Sequence, residues 1–547
     1  MNKRRWILLM VVVAGVSFAF TKPAERYFEI AKSLDIFATL FKEVNAHYVD
    51  EVEPKKLVQT GIDNMLQSLD PYTNYIPEEE LENFQILTTG QYAGIGALIN
   101  VVNNKTVVTY PYRDFPAYRA GIRVGDEIIS INGKSMVGKM PADVTSSLKG
   151  QARTEVDLKI KRAGVGELSF KIKREKIFIN NISYFGMLGT TGVGYIKLDE
   201  FTPGAAREVR DAVEALKAQG AQKLILDLRD NLGGLMHEGI NIVNLFIAKN
   251  QEVVSTKGKV KDWNKTYSTL NNPLDTEIPL AVLTSESSAS AAEIVAGSLQ
   301  DYDRAVLVGH KTFGKGLVQT TRELPFGAEL KVTVAKYYIP SGRCIQALDY
   351  AHRNADGSVS KFADSVRSEF RTKGGRKVFD GNGIDPDVSV DDEFLSAITG
   401  SLLQQGLVFE YASKYVGEHP SKPDFKTFRL SDAEYMKFTE WVKRQKFEYK
   451  TGLETTAAQL KDAAKQERYY TELENELNDL QRRIEVNKAA ELSRCKKEIS
   501  EVLEQQIAFH YGLAEGEAEV TLPRDKTVGE AVKILGDANR YKAILTP

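Results

Sequence analysis

Only two of the 547 residues are cysteine, Cys344 and Cys495. Two cannot build a disulfide framework, and they sit in segments of different character, so free thiols are expected. An excess of charge is also missing: 72 Lys and Arg stand against 74 Asp and Glu, a formal net charge of −2. That removes the bulk electrostatic case for nucleic acid or an anionic membrane surface. No group of His, Cys and Asp has metal-site spacing, and no phosphate loop of the G-x-x-x-x-G-K type occurs. Neither a metal nor another cofactor is expected. The apolar run at the start, Trp6–Phe20, is short for a membrane span. It follows Lys3, Arg4 and Arg5 and ends in small residues, Ser17-Phe18-Ala19. This predicts a signal peptide or membrane anchor over residues 1–20, and hence export. In a Gram-negative cell the protein would be periplasmic, or anchored at the inner membrane facing the periplasm.

What is present is ordinary globular composition, 42% hydrophobic and 27% charged, in a chain long enough for several domains. Residues 24–87 read as a helical N-terminal region. Ile30, Leu34, Ile36, Leu40 and Val44 approximate one helical stripe, and Leu57, Ile62, Leu66 and Leu69 another. From 176 to 390 strands and helices alternate. Val193–Leu198, Lys223–Leu228, Ala305–Val308 and Glu329–Tyr338 read as strands, Ala205–Ala218 and Glu238–Ala248 as helices. That order argues an α/β layer structure. Residues 346–380, with Gly357, Gly374 and Gly375, read as a loop insertion. Residues 391–547 are helical by pattern. Leu473, Leu477, Leu480 and Ile484 cover too few heptads for a coiled coil and suggest a helical hairpin.

The chemistry gathers at Pro279–Asp301, PLAVLTSESSASAAEIVAGSLQD. A buried strand over Leu280–Leu283 leads through serines into a helix carrying Ile294, Val295 and Leu299. A serine at such a junction is exposed beside backbone N–H groups, which suits a nucleophile. It is equally the commonest helix cap. Glu293 favours the helix N-terminus. A second motif, Gly309–Thr320 (GHKTFGKGLVQT), sets Lys315 between two glycines. There is room between Ser290 and Lys315 for a helix, a strand and a return. A lysine that loses its charge can act as general base toward a serine. Alone, Lys315 is also a good solvated turn residue. A Ser–His–Asp arrangement through His310 with Asp301 or Asp303 stays open.

SASAAEIVAGSLQD followed by KTFGKGLVQ resembles the C-terminal processing peptidases, or tail-specific proteases. DLRDNLGG at 227–234, IPSGRCIQ at 339–346 and GNGIDPD at 381–387 belong to the same resemblance. It implies Ser290 as nucleophile, Lys315 as base and Gln319 as the residue orienting the lysine. It also implies an oxyanion hole from Ala291 N–H and from Gly233 or Gly234. Ala292 replaces a usual serine, Ser287 a common glycine, and Leu232 is a mild departure before the glycines. Asp227, Arg229 and Asp301 are expected to brace the site. YAGIGALI at 92–99 and FPAYRAGIRVGDEIISINGKSM at 115–136 resemble a PDZ domain over 88–175. Its loop, Tyr92, Ala93, Gly94, Ile95 and Gly96, would hold a peptide's terminal carboxylate. The fold implied is α/β: a crotonase-like Ser/Lys protease core of ββα units over 176–390, with the PDZ domain inserted and helical regions at both ends. The function implied is an exported serine endopeptidase that recognises apolar C-terminal tails of envelope proteins. A homodimer or an adaptor is the further partner considered, and a non-catalytic PDZ scaffold is the alternative from another class.

Overall fold

The computed structural model describes residues 27–81, 84, 86, 90–362, 365, 367–391 and 394–546. The segment expected to direct export lies outside these residues. The chain divides into two compact units, one of residues up to Ile76 with Thr321–Val332, the other of Pro77–Thr320 with Thr333–Pro547.

The second unit is built on a six-stranded sheet. Its strands are β1 (Ile182–Met187), β2 (Val193–Leu198), β3 (Lys223–Asp227), β4 (Leu280–Thr284), β5 (Val306–Gly309) and β6 (Val388–Ser389), adjacent in that order. The β1–β2 pair is antiparallel and every later pair parallel. Parallel strands must be covered on both faces, and β3, β4 and β5 accordingly carry the apolar runs Leu224–Leu226, Leu280–Leu283 and Val306–Val308. Alternate residues serve opposite layers. Leu224, Leu226, Leu280, Val282 and Leu307 pack with helices α1 (Ala205–Ala218), α2 (Met236–Phe246) and α3 (Ala291–Asp301). Tyr195, Ile225, Ala281, Leu283, Val306 and Val308 pack on the other face. They meet Val528, Ala531, Ile534 and Leu535 of α4 (Lys526–Gly536), with Tyr541 and Leu545 of α5 (Ala538–Leu545). The last helices of the chain are thus a layer of the α/β core.

Between 97 and 173 the chain forms a separate antiparallel sheet around Val108, Ile128, Ile131, Val156, Leu158 and Ile160, with helix Pro141–Leu148 against it. It is joined to the C-terminal helices by Arg113–Glu515 at 2.9 Å and Lys105–Glu410 at 3.2 Å. Helices Gly452–Gln466 and Tyr470–Ala489 run antiparallel, Lys488 pairing with Glu454 and Lys461 with Asn478. Residues 346–380 hold two small hairpins, Leu348–Arg353 with Val359–Lys361 and Glu369–Arg371 with Lys377–Phe379. Their turns carry the glycines that suggested a loop.

The first unit is helical over 27–47 and Pro54–Gln67, followed by the short strand Asn74–Ile76 paired with Glu329–Lys331. Its apolar stripe is not a packed core. Leu34, Ile36 and Leu40 are all more than half exposed, and of the second stripe Leu66 is buried while Leu69 is 54% exposed.

Candidate active site

Ser290 ends the 285–290 loop between β4 and α3 and stands at the head of α3, with φ 57° and ψ −114°. An L side chain seldom adopts that backbone, at a cost of about 1–3 kcal/mol, and keeps it only where the surroundings over-determine it. Here they do. Ser290 N–H donates to Glu293 Oε2 at 2.9 Å, and its carbonyl accepts from Ile294 N–H at 3.0 Å and from the Tyr337 hydroxyl at 3.1 Å. Ala289 N–H donates to the Asn231 carbonyl at 2.9 Å, and Ser288 Oγ to the Leu228 carbonyl at 2.7 Å. The serine loop is tied to the 227–234 loop along its length.

Lys315 is held by the same two groups. Its N–H donates to Glu293 Oε2 at 2.9 Å, and its carbonyl accepts from the Tyr337 hydroxyl at 2.6 Å. The other Glu293 oxygen accepts from Thr312 Oγ1 at 2.6 Å and Gly314 N–H at 2.8 Å. One carboxylate oxygen therefore takes both backbone N–H groups, and one phenol O–H is shared between both carbonyls, more closely with that of Lys315. The two backbone nitrogens can be no further apart than those two bonds laid end to end. Glu293 is fully buried. Burial pushes its carboxyl up to about 7, against the pull of these donors. The S-x-x-E spacing announces the bond back to Ser290, but nothing in the sequence announces Thr312, Gly314 or Tyr337.

The glycines flanking Lys315 admit a second chain segment. A Cβ on Gly314 would lie 2.4 Å from Ala347 Cβ, and one on Gly316 would lie 2.8 Å from Gln346 N. Gln346 Oε1 accepts from Gly316 N–H at 2.8 Å, so the 339–346 motif buttresses the lysine turn. Gln319 lies on the strand Leu317–Glu323 that follows, its amide donating to Thr333 Oγ1 at 3.2 Å.

Of the oxyanion candidates, Ala291 N–H opens α3, among the first-turn donors that a helix leaves without an intrahelical partner. Gly233 abuts it: a Cβ there would lie 2.7 Å from Ser290 Cβ and 3.0 Å from Ala291 N, and φ is +94°. Its N–H donates to Asn231 Oδ1 at 2.8 Å. Gly234 turns the other way, a Cβ on it falling 2.5 Å from the Phe201 carbonyl. Behind this loop Asp227 is fully buried. Burial alone would raise its carboxyl, but Arg229, Lys197 and the Tyr195 hydroxyl hold it down at about 2.

His310 N–H donates to the Thr284 carbonyl at 2.9 Å. The carboxylates considered for orienting it are engaged elsewhere. Asp301 pairs with Arg343 at 2.9 Å and accepts from Ser341 N–H at 2.9 Å, and Asp303 pairs with Arg376 at 2.6 Å. Among the described residues no group of three or more His, Cys, Asp or Glu is placed to hold a metal ion.

In the loop Tyr92–Gly96, Tyr92, Ala93 and Gly94 pair with Ile177, Lys176 and Glu175. The Ile95 carbonyl accepts from Ala117 N–H at 2.8 Å and the Gly96 carbonyl from Tyr112 N–H at 2.9 Å. Both carbonyls are thereby engaged within the domain. Gly96 has φ +75°, and a Cβ there would lie 2.5 Å from Phe115 Cβ. The Tyr92 ring lies against Gly94, and burial pushes its phenol up to about 12.

Residues 192–351 match the model of Peptidase family S41, 107–162 that of a PDZ domain, and 398–535 that of a probable PDZ-protease C-terminal helical domain. The chain is 37% identical over 346 residues to a probable CtpA-like serine protease of Staphylococcus aureus strain COL, covering 62% of this chain and 68% of that one. It is 34% identical over 306 residues to the carboxy-terminal processing protease CtpA of Bacillus subtilis strain 168, covering 56% and 65%. A solved photosystem II D1 C-terminal processing protease aligns at 26% identity and a TM-score of 0.36, over 69% of this chain and 97% of its own. On the strength of the shared sequence, the chain belongs to peptidase family S41, as a PDZ-containing serine peptidase of the C-terminal processing kind.

Proposed function

We propose that this peptidase is exported, grips the C-terminal tails of envelope proteins in its PDZ loop, and cuts them with Ser290 as nucleophile and Lys315 as base. The observation that carries the catalytic pair is the double clamp, Glu293 on both N–H groups and Tyr337 on both carbonyls. A clamp of that kind fixes two residues distant in sequence as one unit, as proton transfer between their side chains requires. Neutral Lys315 takes the Ser290 hydroxyl proton as Oγ bonds to the scissile carbonyl carbon. The oxyanion is met by Ala291 N–H, with Gly233 or Gly234 as second donor, Gly233 only by releasing or sharing the N–H that it gives to Asn231 Oδ1. When the C–N bond breaks, the lysine's proton passes to the leaving amine. Water then attacks the acyl-enzyme by the same route, and Ser290 recovers its proton. Gln319 orients the lysine. The engagement of Asp301 and Asp303 by arginines weighs against a base built on His310.

The substrate side rests on the PDZ loop. An extended tail adds as a strand, and N–H groups around Gly94 and Gly96 take its carboxylate. The test is a matched pair of peptides, one with a free C-terminus and one amidated, which removes only the terminal charge. The amidated peptide should be cut several-fold more slowly in kcat/KM, chiefly through KM. Equal rates would show that the loop does not read the terminus. For the first unit we propose a homodimer surface, because Phe28, Leu34, Phe37 and Leu40 are 66%, 64%, 54% and 57% exposed, more apolar area than a monomer ordinarily leaves in water.

A further inference from the structure

The 227–234 loop sets Gly233 against Ser290, and Arg229 holds the start of that loop. The Arg229 Nε donates to both oxygens of Asp227 at 3.0 Å, and Nη2 to Asp227 Oδ2 at 2.5 Å. Its backbone carbonyl accepts from Lys197 Nζ. Asp227 also accepts from Arg229 N–H at 2.9 Å and the Tyr195 hydroxyl at 2.6 Å. That leaves Arg229 Nη1, which reaches Asp525 Oδ2 at 2.8 Å. Asp525 stands at the head of α4, and its other oxygen caps that helix by accepting from Val528 N–H at 2.9 Å. One side chain of the C-terminal layer thus has an oxygen on its own helix and an oxygen on the active-site loop. The pair is largely covered, the Arg229 and Asp525 side chains being 20% and 18% exposed.

We propose that Asp525 is a positioning residue of the peptidase: it completes the pairing of Arg229, and so holds the 227–234 loop and Gly233 in register with Ser290. The C-terminal helices then contribute to turnover as well as to the core. Without Asp525 a half-buried guanidinium nitrogen loses its partner, and the loop must shift to rehydrate it or lean wholly on Asp227. A displacement well below 1 Å at the reacting centre is felt in kcat more than in KM. The proposal rests on the reading of Ser290 as nucleophile.

The test uses the full chain and a short peptide substrate. Asn caps a helix as well as Asp does, so Asp525→Asn keeps α4 capped and loses only the charge to Arg229. The matched control is Asp537→Asn at the head of α5, where the carboxylate accepts from Asn539 and Arg540 N–H. Asp525→Glu supplies the reverse case, with charge kept and the cap weakened. Asp525→Asn should lose kcat by roughly tenfold with KM nearly unchanged, as expected for lost positioning. Asp537→Asn should stay close to the wild type, and Asp525→Glu should keep most of kcat even where its melting temperature falls. Wild-type kcat in Asp525→Asn, or equal losses in Asp525→Asn and Asp525→Glu, would overturn the proposal. If Asp525→Asn does not fold, Asp525→Ser, which also caps a helix and carries no charge, takes its place in the same comparison. Activity surviving in Ser290→Ala would instead overturn the nucleophile reading, and this proposal with it.

Discussion

Glu293 shows what single residues do here that their place in the sequence conceals. A glutamate three positions into a helix reads as a cap partner, and it is one. Its larger role is to bring Ser290 and Lys315 to one oxygen. The acid titrates near pH 7 in the fold and near about 4.3 in an unfolded chain. It therefore favours the folded state fully below about 4.3, and that contribution is lost as pH rises through about 7. Glu293→Gln carries no such dependence. The melting temperature of the variant relative to the wild type should accordingly climb between pH 5 and 8.5. Its activity should nevertheless fall by about 10²-fold, because an amide NH2 now faces donors and the clamp opens. Parallel pH profiles of melting for the two proteins would sink this account of Glu293. Tyr337 had no signal at all, since a tyrosine in an alternating strand looks like any other. Ser290, Lys315 and Gln319 could be singled out only because two motifs occur together. Each alone reads as a cap, a turn lysine or nothing.

Elements were legible where one physical demand set the residue pattern. Strands β3 and β4 are short apolar runs because parallel strands are buried on both faces, and α1 has a clear apolar stripe. The stripe over Ile30–Leu40 has the same period but stands exposed, because periodicity shows that a face is apolar without showing what covers it. The closing helices are the converse case. Nothing in KTVGEAVKILG says that it completes a sheet whose strands begin far upstream, yet Val528, Ala531, Ile534 and Leu535 are all buried against β3, β4 and β5. Val528, Ile534 and Leu535 are each worth about 1.5–3 kcal/mol of burial, against a net stability of about 5–15 kcal/mol for a domain. Ending the chain after Arg524 should therefore abolish the cooperative thermal transition of the peptidase core and most of its soluble yield. A truncated protein that melts cooperatively near the wild-type temperature would show that α4 and α5 are dispensable cover.

At the scale of the whole molecule, the proposed division of labour gives the first unit to association, the PDZ loop to substrate ends and the loops after the central strands β3, β4 and β5 to chemistry. Sedimentation should find a species of twice the chain mass, and Leu34→Glu combined with Leu40→Glu should return it to one chain. A wild-type monomer at high concentration would contradict that assignment. No helix among the described residues is long and apolar enough to cross a membrane. The central claim is that one serine of the chain is activated by one lysine. Its most direct measurement is labelling of the intact protein with a fluorophosphonate, followed by peptide mass spectrometry and by the labelling rate in Lys315→Ala. The account predicts one adduct, on Ser290, forming at least about 10²-fold more slowly in Lys315→Ala and at an undiminished rate in His310→Ala. An adduct on another serine, or one on Ser290 that forms as fast without Lys315 as with it, would contradict the account.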